Sequence, residues 1–268
     1  MAVGVVIVAA GSGSRLGANV PKAFVTVAGR PLLWYAVRAA LRSRPAAVVV
    51  AAPATHLDDA NEAIDALRGE HGIPVQVVPG GAERGDSVLA ATRWLPAECE
   101  VVLVHDAARA FTPSEVFERV AAAVTAQTPA VVPVLPVVDT IKVVDADGFV
   151  VRTADRDTLR IVQTPQGFRR DVLLEAHRLH GSLATDDAGL VERLGLRVGT
   201  VPGDPMALKV TTPEDLDYAD RLEVSLWDYK AEHPDWETRH VKNDWGGMAS
   251  AKDDADAITT VNDATYAF

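Results

Sequence analysis

Short runs of β-branched and small apolar residues recur between segments of helical period, and this alternation restricts the fold more than any other feature of the chain. Gly4 to Ala9, Ala47 to Ala52, Val75 to Val78, Val101 to Val104 and Ala130 to Val134 read as strands. Leu32 to Arg42, His56 to Arg68, Ser87 to Trp94, Ser114 to Ala126 and Arg170 to Leu179 read as the helices between them. Strands joined through helices pair in parallel, so the pattern predicts an α/β fold with a mostly parallel sheet covered by helices on both faces. With 268 residues, 48% of them apolar, the chain can bury a full core as one large domain.

Two stretches depart from the alternation. Between Asp139 and Thr158, the runs Ile141 to Val144 and Phe149 to Arg152 flank Asp145-Ala146-Asp147-Gly148, a hairpin turn signal, and predict a protruding β-arm. An exposed strand pair needs cover for its edges and apolar face, so a homodimer formed through the arm is expected. Residues 227–268 are acidic, poor in Leu and Ile, and lack a sustained period, which predicts a C-terminal tail after a domain spanning 1–226. Trp227, Trp236 and Trp245 recur within it at intervals of nine residues; that composition is compatible with a docked tail and with a mobile one.

Charge and cysteine content narrow the functional classes. A formal charge of −11 repels a nucleic-acid backbone, so phosphate must be met by a few placed cations, as suits a mononucleotide. No run approaches the roughly 18 apolar residues of a membrane span. The apolar start, Met1 to Ala10, has no basic region before it, and the single cysteine, Cys99, allows no disulfide framework; both lead to an expectation of the cytoplasm.

The first strand runs into Ala10-Gly11-Ser12-Gly13-Ser14-Arg15-Leu16-Gly17, whose small residues let backbone N–H groups approach an anion. Leu16 breaks the dinucleotide fingerprint, and no Gly-Lys-Ser or Gly-Lys-Thr completes a P-loop. Arg15 and Lys22, the latter within Val20-Pro21-Lys22-Ala23-Phe24, are either solvated charges or cations placed against the phosphate nest.

These residues resemble the opening of the nucleotidyltransferases that activate sugars and polyols, and specifically the methylerythritol phosphate cytidylyltransferase family. Further motifs follow in the family's order: Gly80-Gly81-Ala82-Glu83-Arg84-Gly85-Asp86-Ser87-Val88, Val104-His105-Asp106-Ala107-Ala108-Arg109, Asp139-Thr140-Ile141-Lys142, Arg156, Gln163-Thr164-Pro165-Gln166, Thr185-Asp186-Asp187 and Leu208-Lys209-Val210-Thr211. The resemblance spans about residues 3 to 224 and implies a Rossmann-like nucleotidyltransferase fold. It also implies transfer of CMP from CTP to 2-C-methyl-D-erythritol 4-phosphate with release of pyrophosphate. The same chemistry on ribitol 5-phosphate, and a non-catalytic nucleotide-binding protein, are the alternatives.

By this resemblance Arg15, Lys22, Arg156 and Lys209 are the catalytic cations. Ala9, Ala10, Gly11, Gly13, Gly81, Ala82, Ser87, Asp106 and Ala107 bind CTP. Arg109, Thr140, Arg156, Thr164, Thr185 and Lys209 meet the acceptor, with Arg156 placed to serve a partner's site. Asp106 is expected to hold Mg²⁺ as cofactor, although an aspartate after a strand also reads as a cap or turn residue. Gly80-Gly81 likewise reads as a simple turn. Ala82 stands where several relatives have an acidic residue, and the tail has no counterpart in the family core. His177 and His180 lack a third metal ligand at a recognisable spacing and read as surface histidines, while Asp186-Asp187 reads as a helix cap.

Overall fold

The computed structural model describes residues 1–9, 20–180 and 186–232, with side chains to 222. In chain order the elements are β1 (Ala2–Val8), a two-strand ribbon of β2 (Thr26–Val27) and β3 (Arg30–Pro31), α1 (Leu32–Arg42), β4 (Ala47–Ala52), α2 (Leu57–Ile64), β5 (Val75–Pro79), α3 (Arg84–Trp94), β6 (Cys99–Asp106), α4 (Ser114–Ala123), β7 (Ala130–Pro136), the arm strands β8 (Lys142–Val144) and β9 (Val150–Thr153), β10 (Arg160–Val162), β11 (Gln166–Arg169), α5 (Arg170–His180), α6 (Asp187–Arg193), β12 (Val198–Pro202) and α7 (Pro213–Glu232). Internal contacts divide the chain into Met1–Asp215 and Leu216–Phe268. The sheet and every site residue discussed below belong to the first unit.

The β-branched runs become the parallel strands that their composition predicts. β1 pairs in parallel with β4 on one side and β6 on the other, and β5 adds to β4. Parallel order is broken at β11, which lies antiparallel between β6 and β7. β10 continues along the same edge of β7, and β12 pairs in parallel with the other edge. The chain therefore builds outward from β1 to β5, returns to β6 on the far side of β1, and leaves a crevice where the order reverses.

Alternation along the strands divides the core between the two sheet faces. Val6, Val8, Val102 and Val104 pack in one cluster with Val88 and Ala91 of α3, Leu173 and Ala176 of α5, and Leu190 and Val191 of α6. Leu103 and His105 point the other way, where the His105 ring meets Phe117 of α4 with centroids 4.8 Å apart. The helices begin and end close to where periodicity places them, except that Ala54–His56 and Asp65–Leu67, at the two ends of α2, tighten into 3-10 turns. α7 continues to Glu232, past the point at which composition suggested that regular structure stops. Residues 236 and 245, two of the three spaced tryptophans, lie outside the described residues.

The expected arm is present. β8 and β9 pair antiparallel across the Asp145–Gly148 turn, where Gly148 at φ 86° occupies the left-handed region that favours glycine. Its apolar side chains stand in the open: Phe149 is 72% exposed, and Val144, Val150 and Val151 are also exposed.

Two expectations follow from the core. Phe168 of β11 is fully buried in the cluster formed by β6, β7 and α5, so Phe168→Ala should cost about 3–5 kcal/mol in urea unfolding. Burial pushes the His105 pKa down to about 4, so between there and the ordinary value near 6.5 the unfolded chain binds a proton that the folded chain refuses. Stability should fall as pH drops through that window, and His105→Asn should flatten this dependence in denaturation curves recorded across it.

Candidate active site

Asp106 ends β6 at the carboxyl edge of the sheet, beside the reversal of strand order about β1. Its Oδ1 accepts from Arg84 Nε at 3.2 Å, and its Oδ2 accepts from Lys209 Nζ at 2.7 Å. Arg84 is the first residue of α3, and Lys209 follows the 3-10 turn Pro205–Ala207. Burial alone would raise the Asp106 pKa, but the Arg84 and Lys209 charges outweigh it. They hold the carboxyl well below the usual carboxylate range, so the group is an anion at neutral pH.

Arg84 is itself anchored from behind. Its Nη1 donates to Asp187 Oδ2, and the other Asp187 oxygen shares a 2.9 Å hydrogen bond with His177 Nε2. Asp187 is 1% exposed. Burial would raise its carboxyl, and the His177 hydrogen bond and Arg84 charge more than offset that, leaving its pKa lowered. For Arg84, burial works against the cation and the two carboxylates overcome it, so its pKa is raised. His177, expected at the surface, is buried against Asp187, because α5 turns that face toward α6, and Arg84 joins the site although nothing in its sequence context marks it. Asp186 does cap α6, accepting from the Gly189 N–H at 3.0 Å.

The Gly80–Ser87 segment forms a tight turn. Gly80 N–H donates to Ala52 O, Gly81 N–H donates to Ser87 Oγ at 3.1 Å, and Ser87 Oγ donates to Glu83 O. A Cβ on Gly81 would stand 2.2 Å from the Asp86 Cβ, so the turn requires glycine at that position. Glu83 and Asp86 form a reciprocal capping box that fixes the first turn of α3, from which Arg84 projects. Ser87 is fully buried and Ala82 is exposed.

The end of β6 is held by residues that the resemblance assigned to the acceptor. Asp106 N–H donates to Thr164 Oγ1 at 3.1 Å, and the same hydroxyl lies 3.1 Å from His105 Nδ1. Arg109 donates to Ala207 O at 2.6 Å and Val162 O at 3.2 Å, tying the loop after β6 to the Lys209 segment and to β10. Ala107 N–H donates to Val8 O, and Ala9, buried at the end of β1, donates to Ala51 O.

Asp106, Lys209, Thr164, Arg109, Ala107 and Ala9 thus gather at one edge, joined there by Arg84. Lys22 begins a 3-10 turn, Lys22–Phe24, packed on α1 and α2, with Phe24 stacked on His56. Thr140 and Arg156 sit on the arm, where Arg156 donates to Val138 O at 2.7 Å and makes no hydrogen bond to the Asp106 cluster. Ala10, Gly11, Gly13, Arg15 and Thr185 lie outside the described residues.

Known proteins resemble this chain in sequence and in fold. The profile of the 2-C-methyl-D-erythritol 4-phosphate cytidylyltransferase family matches residues 3–223. A protein of that description from Saccharopolyspora erythraea is 55% identical over 226 residues, covering 83% of this chain and 99% of its own. Another from Frankia casuarinae is 52% identical over 221 residues, covering 82% and 80%. The crystal structure of the Thermus thermophilus 2-C-methyl-D-erythritol 4-phosphate cytidylyltransferase superposes with a TM-score of 0.66 at 37% identity, covering 83% of this chain and 98% of that one. The 4-diphosphocytidyl-2C-methyl-D-erythritol synthase of Anaerococcus prevotii gives a TM-score of 0.71 at 26% identity, covering 82% and 97%. The matched span takes in the whole sheet and the Asp106 cluster, and the chain belongs to the 2-C-methyl-D-erythritol 4-phosphate cytidylyltransferase family.

Proposed function

We propose that this nucleotidyltransferase works by in-line displacement at the α-phosphorus of CTP in the crevice at Asp106. It transfers CMP from CTP to 2-C-methyl-D-erythritol 4-phosphate, giving 4-diphosphocytidyl-2-C-methyl-D-erythritol and pyrophosphate, a step toward isoprenoid precursors. The observation that carries the site assignment is the Asp106 carboxylate, kept anionic between Arg84 and Lys209 at the switch point of the sheet.

An acceptor phosphate oxygen attacks phosphorus as pyrophosphate leaves, so no protein nucleophile is needed and rate depends on positioning and on offsetting charge. Lys22 and Arg15 supply that charge around the triphosphate. Ala9, Ala107 and the Gly80–Ala82 turn bear the cytosine side of the site, and the family resemblance adds Ala10, Gly11 and Gly13 to the residues that bind CTP. The Ser87 proton is directed to Glu83, so toward a base its oxygen acts as an acceptor, which favours the amino edge of cytosine over the carbonyl edge of uracil.

Asp106 is a hard oxygen donor, and Mg²⁺ takes one or two carboxylates with triphosphate oxygens and waters completing its shell. No group of three or more His, Cys, Asp or Glu able to hold a metal occurs among the described residues. A single carboxylate therefore suits Mg²⁺ shared with CTP better than an ion caged by protein ligands. Bound there, Mg²⁺ would neutralise part of the triphosphate charge. Lys209, next to Asp106, holds the acceptor phosphate beside the nucleotide, with Arg109 and Thr164 on that side and Thr185 assigned to the acceptor by the family resemblance.

The enzyme works as a homodimer through the arm. Supporting this are the open apolar residues of a two-strand ribbon that cannot hold itself alone; in such a dimer Arg156, just past the ribbon, serves the neighbour's acceptor site. No helix among the described residues is long and apolar enough to cross a membrane. The lone buried thiol of Cys99 suits the reducing cytoplasm.

Purified protein should release pyrophosphate with CTP, Mg²⁺ and methylerythritol 4-phosphate, and only slowly with ribitol 5-phosphate or UTP; preference for ribitol phosphate would move the acceptor assignment. Lys22→Ala should lower kcat by roughly a hundred- to a thousand-fold, about 3 to 4 kcal/mol of barrier, while calorimetry shows a far smaller change in CTP affinity. Phe149→Asp should shift the protein to monomers in sedimentation and remove most turnover; a fully active monomer would dismiss the shared site.

A further inference from the structure

We infer that Asp187, held by His177, is a positioning residue for nucleotidyl transfer, acting through Arg84 on Asp106. The inference rests on the reading of Asp106 as the working carboxylate.

Arg84 reaches two carboxylates at once. Its Nη1 meets Asp187 Oδ2, while Nε and Nη2 each lie 3.2 Å from Asp106 Oδ1. An arginine beside Asp106 alone would orient the carboxylate and cancel its charge together. With Asp187 on the opposite side, the Arg84–Asp187 pair is neutral in sum, so the guanidinium fixes the direction of Asp106 and leaves Lys209, the more exposed cation, as the counter-charge of its carboxylate.

The distribution of burial fits this division of work. The Asp187 side chain is 1% exposed, that of Asp106 12%, and that of Lys209, on the crevice side, 43%. A buried carboxylate is a poor device for stability alone, since apolar residues of similar volume usually serve as well. This one is also held from several directions. His177 takes its Oδ1, and Asp186 beside it caps α6 and accepts from Gln166 Nε2 at 2.8 Å. Gln166 Oε1 accepts in turn from Ala188 N–H. The result is a rigid strut from α5, α6 and β11 to the tip of β6, ending on the oxygen of Asp106 that Lys209 does not take. Partners that orient a ligand-binding carboxylate from behind typically affect activity by ten- to a hundred-fold when removed.

The test is a cycle of Asp187→Asn and Asp106→Asn, singly and together, with kcat and both KM values at saturating Mg²⁺, CTP affinity by calorimetry and the melting midpoint. Asp187→Asn should lower kcat about tenfold with CTP affinity within about twofold of the parent, and should add no further loss in the Asp106→Asn background. A parental kcat in folded Asp187→Asn protein, whatever its melting point, or losses that multiply in the double variant, overturns the inference. A parental kcat in Asp106→Asn alone overturns the site assignment itself, and the inference with it. Arg84→Lys, which keeps the charge but cannot span both carboxylates, gives the same pattern if Asp187→Asn does not accumulate as folded protein.

Discussion

The carboxylate of Asp106 takes its hydrogen bonds from residues 22 and 103 positions away, so it can be set only after β6, α3 and the segment following β12 have all reached their places. Local structure cannot provide this geometry. It depends on the hydrophobic face that carries Val88 of α3, Val104 of β6 and Leu190 of α6 in one cluster, since those elements deliver Arg84, Asp106 and Asp187 to one edge. Packing of apolar side chains thus determines where the charges stand, and the charges in turn keep Asp106 anionic against a burial that raises its pKa. The chain's overall charge of −11 contrasts with the cations Arg84, Lys209 and Arg109 gathered about Asp106.

Much of the scaffold was legible from residue type. The runs of valine and alanine in β1, β4, β6 and β7 announce buried parallel strands, and α1 spans the same residues that its apolar period marks. The arm was readable because Asp145-Ala146-Asp147-Gly148 carries its own turn chemistry. β11 was not, since Gln166-Gly167-Phe168-Arg169 has a single large apolar side chain. Its glycine weakens the strand signal for a structural reason: a Cβ there would lie 2.6 Å from Val120 Cγ1, so glycine is what lets α4 pack against this strand. Gly199 obscures β12 in the same way, with Thr128 as the close neighbour. The start of α7 did carry a signal, Thr211-Thr212-Pro213 followed by Asp215, whose carboxylate accepts from both threonine N–H groups.

The site was legible where its residues are unusual for their position and obscure where they are ordinary. A carboxylate ending the apolar run Val101 to Val104, as Asp106 does, stands out, as does a cation set in the Leu208-Lys209-Val210 segment. Arg84 and Asp187 occupy the first turns of helices, where charged residues are commonplace as caps and dipole partners, so nothing in the sequence separates them from solvated neighbours. Only the juxtaposition of two helix starts 103 residues apart reveals them as a pair.

Because β11 runs against its neighbours, its first residue lies at the same edge of the sheet as the last residue of β7. Within that stretch β10 returns along β7, with Arg160 opposite Pro136, so chain added between Pro136 and Arg160 leaves and re-enters at that edge. The arm occupies that insertion point, and so projects from the rim that also bears Asp106. Chain added there lengthens the arm beside the rim that carries Asp106 and leaves the order of the core strands as it is.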